Sequence, residues 1–403
     1  MRPALLQHVR HLADEDLPAY LYDLPGLDQH VRAIRAALPQ RVELLYATKA
    51  NSDPRLLQAL AEHVDGFEAA SGGEVRHIRQ LLPAARIAFG GPGKTPAELA
   101  RAVAARVARL HVESEHELRT LATVLGDRTA DILLRVNVPV PLRSVALAMG
   151  GRPSPFGLDP SQLDRCLDII ASDPRIRMRG LHVHLASGLG ATAHLALIDD
   201  VLAWASGWAR RRGIDLTEVN LGGGMDVDYI RPQQVFDWPA FGAGLRSALS
   251  RHPGLTLRIE PGRSVTAYCG WYVTQVLDLK FSCGQAFAVL RGGTHHLRTP
   301  AAKQHDQPFE VVPDDAWDRP WERPQIRYEP VTLVGQLCTP KDVLAHHIVI
   351  DRLRVGDRIA FALAGAYAWN ISHHDFLMHP HPTVHHVEDS DVPLPAAHAC
   401  PSS

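Results

Sequence analysis

Eight short, β-prone runs recur between stretches with helical spacing, and this alternation constrains the fold more than any single residue does. The runs are VELLYATK (42–49), GFEAAS (66–71), RIAFGG (86–91), ARLHVES (108–114), DILLRVN (131–137), RMRGLHVHL (177–185), LTEVNLGGG (216–224) and LTLRIEPGR (255–263). Between them, PRLLQALAEH (54–63), TPAELARAVAARV (95–107) and EHELRTLATVLG (115–126) read as helices opened by turn or capping residues. Strands that each return through a crossover helix lie parallel. Eight such units over 27–265 fit a (β/α)8 barrel of about 250 residues. An open doubly wound sheet is the alternative, but the G-x-G-x-x-G turn that marks it is missing after the early strands. FGGPGKT (89–95) looks like a phosphate-binding P-loop and fails on spacing, because Ala88 stands six residues before Lys94 where glycine is required.

Beyond about 265 the texture changes. YCGWYVTQVLDLK, FAVLRGG, FEVV, VTLVGQLC, HHIVI and RIAFAL are rich in β-branched and aromatic residues and lack helical crossovers. A chain of 403 residues also exceeds what one core usually serves, about 250–300 residues. The expected class is α/β, a TIM-like barrel over 27–265 with a second, mostly β domain from 1–26 plus 266–403. YLYD near the N-terminus is expected to join that domain as an edge strand.

Composition narrows the partners. Lys plus Arg number 42 against 44 Asp plus Glu, a net charge of −2, which gives no electrostatic footprint for nucleic acid or anionic lipid. A small-molecule partner is expected. No run approaches the roughly 18 apolar residues that span a bilayer, and the opening MRPALLQHVRHLADED breaks its apolar stretch with charge, so a cytoplasmic location is expected. Five cysteines, at 166, 269, 283, 338 and 400, have no C-x-x-C spacing and suggest neither a disulfide framework nor a thiolate metal site. The histidines at 373, 374, 379, 381, 385 and 386 fall in a Pro-interrupted stretch without a metal motif, and no metal is expected.

Chemistry in such a barrel gathers at the C-terminal ends of the strands. Lys49 ends the first run, Glu68 lies on the second, His184 ends the sixth, Gly222, Gly223 and Gly224 follow the seventh, and Glu260 and Arg263 end the eighth. A lysine there can act as a covalent nucleophile if its surroundings release its proton. Clustered glycine amides and an arginine suit a phosphate.

Taken in order, YATKAN (46–51), HVHLASG (182–188), NLGGGMDVDY (220–229), EPGR (260–263), LCTPKD (337–342) and AGAY (364–367) resemble the alanine-racemase-fold PLP decarboxylases, the group of ornithine and diaminopimelate decarboxylases. The resemblance spans nearly the whole chain. It implies an alanine-racemase-like fold, pyridoxal 5′-phosphate as cofactor and a homodimer with shared active sites. Lys49 would hold the cofactor covalently and His184 would stack on its ring. Ser187, Gly222, Gly223, Gly224, Gly262, Arg263 and Tyr367 would cradle its phosphate. Glu260 would pair with the pyridine nitrogen, favouring the protonated ring that is the better electron sink. Racemases of this fold place arginine there, so decarboxylation is expected instead. Cys338 resembles the cysteine contributed by the neighbouring subunit. Glu68, Glu74 and Arg135 match charged positions around the pocket.

Thr339 follows Cys338 where ornithine-type enzymes carry aspartate and diaminopimelate enzymes glutamate, so the usual partner for a distal ammonium is missing; Asp342 is the nearby alternative. GGTHHLRTPAAKQH (292–305) and AYAWNISHHDFLMHPHP (366–382) resemble the siderophore branch. Its members convert citryl-L-2,3-diaminopropionate to citryl-diaminoethane in staphyloferrin B-type biosynthesis. His295, His296, Arg298 and Lys303 would receive the citryl carboxylates, as cations or hydrogen-bonding groups. Decarboxylation of diaminopimelate, ornithine, lysine or another acyl-conjugated amino acid, and a non-catalytic PLP-binding regulator, are the alternatives.

Overall fold

A computed structural model describes residues 1–140 and 147–388. Eight parallel strands close into a barrel, in chain order Val42–Ala47, Gly66–Ala69, Ile87–Phe89, Arg109–Val112, Ala130–Arg135, Ile176–His182, Glu218–Asn220 and Thr256–Ile259. Six fall within the runs read from the sequence, and Ala130–Arg135 and Ile176–His182 each begin one residue before theirs. Closure follows from the pairing of Leu257 with Val42.

The helices start where the side chains supply acceptors for free backbone amides. Asp53 caps Pro54–Leu60, Ser71 caps Gly72–Leu81 and Ser114 caps Glu115–Val124. Thr95 and Glu98 form a reciprocal capping box on Pro96–Ala104. The P-loop look-alike leads into this helix, and its lysine turns inward. Lys94 Nζ pairs with Glu117 at 2.8 Å, their side chains only 2% and 6% exposed, and donates to the carbonyls of Gly91 and His111. Its charge is consumed within the barrel's rim.

The second unit is an eight-stranded sheet. Its spine is Gly270–Ser282, whose first half pairs with Arg358–Phe361 and whose second half turns back on Gln285–Leu290. Cys283 and Gly284 form that two-residue turn with φ of 49° and 77°, the left-handed pair that matches the twist of a hairpin. Ala19–Asp23 joins this sheet, as expected, but as an interior strand. It pairs antiparallel with Gly270–Val273 and parallel with Thr383–Val387. The latter strand was hidden in the sequence by its histidines, His385 and His386. A continuous core of buried side chains runs from the barrel into the sheet, with Tyr20, Tyr46, Phe67, Phe89, Tyr272 and Phe361 among its largest members. The two units therefore pack on one apolar body, and the barrel's mouth lies against the sheet domain's loops.

Candidate active site

Strand one stops at Ala47, and a single turn, Thr48–Ala50, carries Lys49 into the mouth of the barrel. Loop 365–370 of the sheet domain clamps that turn: Tyr367 N donates to Ala50 O at 2.8 Å, and the Asn370 amide donates to Lys49 O. Lys49 Nζ lies 2.8 Å from Oε2 of Glu68, a buried carboxylate on the adjacent strand. Burial pulls the lysine's proton affinity down, but Glu68, helped by Tyr367 and Glu260, outweighs it and holds the ammonium above the usual lysine range. Glu74 accepts from the Ala70 amide at 2.6 Å, and burial pushes its carboxyl upward.

The opposite wall is built on glycine. Gly222 has φ of 68°, and a Cβ there would come within 2.5 Å of Nδ1 of His184; one on Gly224, φ 100°, would come within 2.3 Å of Ala186 O. Only glycine lets this turn lie against the His184 ring and the Ser187 loop. Gly188 and Leu189 amides bond to Gly224 O at 2.8 and 3.0 Å, tying Ser187 to the same turn. Burial lowers His184 to about 3, so its ring is neutral. Gly262 packs on Ala50 and starts the turn bearing Arg263, whose Nη1 donates to Tyr229 at 2.7 Å and whose guanidinium lies 4.5 Å from the Tyr367 ring centre.

At the floor, burial raises Glu260 to about 7, despite the Asn220 amide that donates to it at 2.6 Å. His111 and His182 stand beside it, at 3.8 and 3.6 Å, with rings 4.2 Å apart. Arg135 pairs with Glu113 at 2.7 Å and lies over Phe156. His111, His182 and Asn220 were missed in the sequence. Each lies in or directly after an apolar strand, where a polar residue was the available signal.

The pocket thus gathers Lys49, Glu68, His184, the three glycines, Glu260, Arg263 and Tyr367 from separate strand ends. Residues 25–267 match the family model described as pyridoxal-dependent decarboxylase, pyridoxal binding domain. The chain belongs to the pyridoxal-dependent decarboxylases. It is 41% identical, over 368 residues covering 90% of this chain and 92% of the relative, to the 2-[(L-alanin-3-ylcarbamoyl)methyl]-2-hydroxybutanedioate decarboxylase of Staphylococcus aureus. It is 30% identical, over 91% of this chain and 88% of the relative, to the L-glutamyl-[BtrI acyl-carrier protein] decarboxylase of Niallia circulans. Diaminopimelate decarboxylase from Helicobacter pylori complexed with L-lysine superposes with a TM-score of 0.80 at 26% identity, covering 93% of this chain and 92% of that one.

The cofactor of this pyridoxal-dependent decarboxylase is pyridoxal 5′-phosphate, and the pocket suits it. The glycine turn has no room for side chains between the His184 ring and the Glu260 and Ala186 carbonyls, and His182, beside Glu260, leaves both ring nitrogens without a hydrogen-bond partner.

The expected substrate groups fare differently. His295 and His296 are buried at 0% and 1% exposure, their rings 3.8 Å apart. Burial, reinforced by neighbouring imidazoles, lowers them to about 4 and about 3. A cationic role at neutral pH is therefore corrected to that of neutral imidazoles; His296 Nδ1 already contacts Tyr272 OH at 3.1 Å. Arg298 is exposed, and the side chain of Lys303, like Cys400, lies outside the described residues. Asp342 is buried and occupied: it accepts from Thr294 N and Oγ1 and from Leu337 N at 2.7–2.8 Å. Its place is in joining two loops, against the reading of a replacement for the missing charge partner. Thr339 is half-buried and Cys338 exposed on the adjoining turn.

Proposed function

We propose that this decarboxylase acts on citryl-L-2,3-diaminopropionate, releasing CO2 and citryl-diaminoethane in staphyloferrin B-type siderophore biosynthesis. The observation that carries this reading is the extent of the likeness to the Staphylococcus aureus enzyme, whose name describes that conjugate. Thr339, which offers no charge to a distal ammonium, agrees with an acylated side chain better than with ornithine or lysine.

When bound, the cofactor supplies an electrophilic aldehyde and a protonated ring that accepts the electron pair of the Cα–carboxylate bond. Lys49 is the group that holds it and later releases the product amine. Its ammonium must first lose a proton, and Oε2 of Glu68 is in hydrogen-bond contact to accept it. His184 presents a neutral face to one side of the ring slot. Glu260, as a carboxylate, keeps the ring nitrogen protonated. Arg263, Ser187 and the Gly222–Gly224 turn would form the phosphate end, joined by Gly262 and Tyr367, while the Gly222 amide itself is bonded to Asn220; Arg135 orders the carboxylates around Glu113.

We further propose a homodimer in which Cys338 of the partner subunit returns the proton to Cα. A groove of about 1750 Å³ lined by Phe309, Val311, Val343, Ile348 and Lys341 runs beside Tyr229, and Ile230 on its edge is 85% exposed. Pro340 and Lys341, which follow Cys338, also line this groove, so in the proposed dimer the interface takes in the Cys338 turn. In this reading residues 27–265 form the cofactor-binding unit, while 1–26 and 266–403 complete the site and the interface. No helix among the described residues is long and apolar enough to cross a membrane; a cytoplasmic location is part of the proposal.

The test is to supply PLP-loaded protein with citryl-L-2,3-diaminopropionate and to follow CO2 and citryl-diaminoethane together, against diaminopimelate, ornithine and lysine, with Lys49→Ala as control. Stoichiometric products from the citryl conjugate alone support the assignment. Strong preference for a simple diamino acid rejects it; cofactor binding without turnover of any of them also removes it, and a panel of other acyl-conjugated amino acids then separates a different decarboxylase from a regulator.

A further inference from the structure

Asn220 ends the seventh barrel strand with no solvent exposure, and its one carboxamide meets three elements. Oδ1 accepts from the Gly222 amide at 2.9 Å, Nδ2 donates to Oε1 of Glu260 at 2.6 Å, and the same nitrogen lies 3.4 Å from Nε2 of His111. These contacts fix the amide's orientation. The Gly222 N–H needs an acceptor, so the oxygen faces the turn and both N–H bonds face the carboxylate and the imidazole.

The rest of the carboxylate's surroundings leaves this donor prominent. His111 and His182 face Glu260 as imidazoles that burial holds neutral. Glu68 repels its charge, while Lys49 and Arg258 favour it from farther away, Lys49 being engaged by Glu68 and Arg258 by Glu43 at 2.7 Å. The Asn220 N–H is therefore the direct hydrogen bond that stabilises the ionised form of Glu260 within an otherwise desolvated floor.

We propose that Asn220 is a positioning residue that holds Glu260 as an aimed carboxylate and links it to the triglycine turn, so that a single amide sets both the ring-nitrogen end and the turn end of the cofactor slot. The inference rests on the reading of Glu260 as the partner of the pyridine nitrogen. It goes beyond that reading by assigning the alignment of two cofactor contacts to one side chain that touches neither substrate nor reacting atoms.

Asn220→Asp separates this role from simple support of the turn. The variant keeps an oxygen for the Gly222 amide but replaces the donor with a second carboxylate oxygen against Glu260, and two such groups cannot both stay ionised. We would compare wild type, Asn220→Asp, Asn220→Ala and Glu260→Gln by thermal unfolding without cofactor, PLP affinity, pH titration of the bound cofactor's absorbance, and separate kcat and KM. Asn220→Asp is expected to weaken PLP binding by about ten- to a hundredfold, the scale of one lost hydrogen bond to a charge. It is also expected to shift the absorbance titration in the same direction as Glu260→Gln, and to lower kcat more than it raises KM. Should Asn220→Asp fail to fold, the same spectral direction in Asn220→Ala supports the proposal and a wild-type spectrum overturns it. A changed Glu260→Gln with an unchanged Asn220→Asp leaves Asn220 as turn support only and sinks the inference. An unchanged Glu260→Gln instead removes the reading of Glu260 itself.

Discussion

Nζ of Lys49 and Oε2 of Glu68 stand 2.8 Å apart across two adjacent barrel strands, one group facing the open pocket and the other buried. The counter-charge of Glu68 holds the proton on the nucleophile, so the pH at which Lys49 frees its amine for the cofactor is set by Glu68 against the opposing pull of burial. Glu68→Gln removes the counter-charge and should move the pH midpoint for PLP attachment to the cofactor-free protein downward by about 1–3 units. Absorbance of the attached cofactor across a pH series reads this directly; an unmoved midpoint would show that the pair does not govern attachment.

Glu260 is raised to about 7, chiefly by burial. A carboxyl that holds its proton more tightly folded than unfolded contributes favourably at low pH, and that contribution disappears as pH rises from the unfolded value through about 7. The cofactor-free protein should therefore lose up to a few kcal/mol from this group between pH 4.5 and 7. Glu260→Gln should remove that part of the slope, visible as a Tm difference between variant and wild type that widens toward pH 8.

Asp342 gathers three donors from two loops. Asp342→Ala leaves those buried groups unsatisfied and should cost about 3 kcal/mol. Urea denaturation gives the figure. A variant with wild-type stability and an altered substrate preference would return Asp342 to the specificity role that its burial argues against.

Lys94 and Glu117 form a buried pair at the barrel rim. Removing one partner, as in Lys94→Met, should destabilise by about 3–5 kcal/mol, whereas Lys94→Met with Glu117→Leu should recover part of the loss because no unpaired charge remains. A double-mutant cycle in guanidinium tests the coupling, and strictly additive losses would contradict it.

The proposed dimer has a complementation signature. Random mixing of Lys49→Ala and Cys338→Ala subunits should restore about a quarter of wild-type activity, since half the dimers are mixed and each has one intact site. No recovery in isolated mixed dimers would place both residues in the same subunit's site, whereas Cys338→Ala homodimers with wild-type activity would remove Cys338 from the chemistry.

The barrel was legible because its strands recur as short β-prone runs, and Lys49, His184, Glu260 and the three glycines were legible because each follows such a run at the end where side chains enter the mouth. Composition could not reveal which polar residues would be buried. His295 and His296 look like surface cations in GGTHHLR, yet the turn folds His296 against Trp369 and Tyr272 and His295 against His296 and His379. Asp342 reads as a spare charge until the loop at 293–294 is brought against it. His111 and Asn220 are single polar residues with no periodic signal, and their role emerges only when strands distant in sequence place them beside Glu260. Thr383–Val387 was obscured for a related reason: its histidines mask a strand that becomes visible only through its partner, Ala19–Asp23.

That pairing has a consequence for synthesis. Ala19–Asp23 leaves the ribosome before the barrel strands, but both of its neighbours, Gly270–Val273 and Thr383–Val387, emerge after them. The barrel can complete its ring of strands while Ala19–Asp23 still has both edges bare, and the second edge is covered only once 383–387 has been made. A nascent chain stalled before 383 would carry a formed cofactor slot beside an unsealed seam. Loss of 383–387 would thus disturb 19–23, more than 350 residues earlier in the chain.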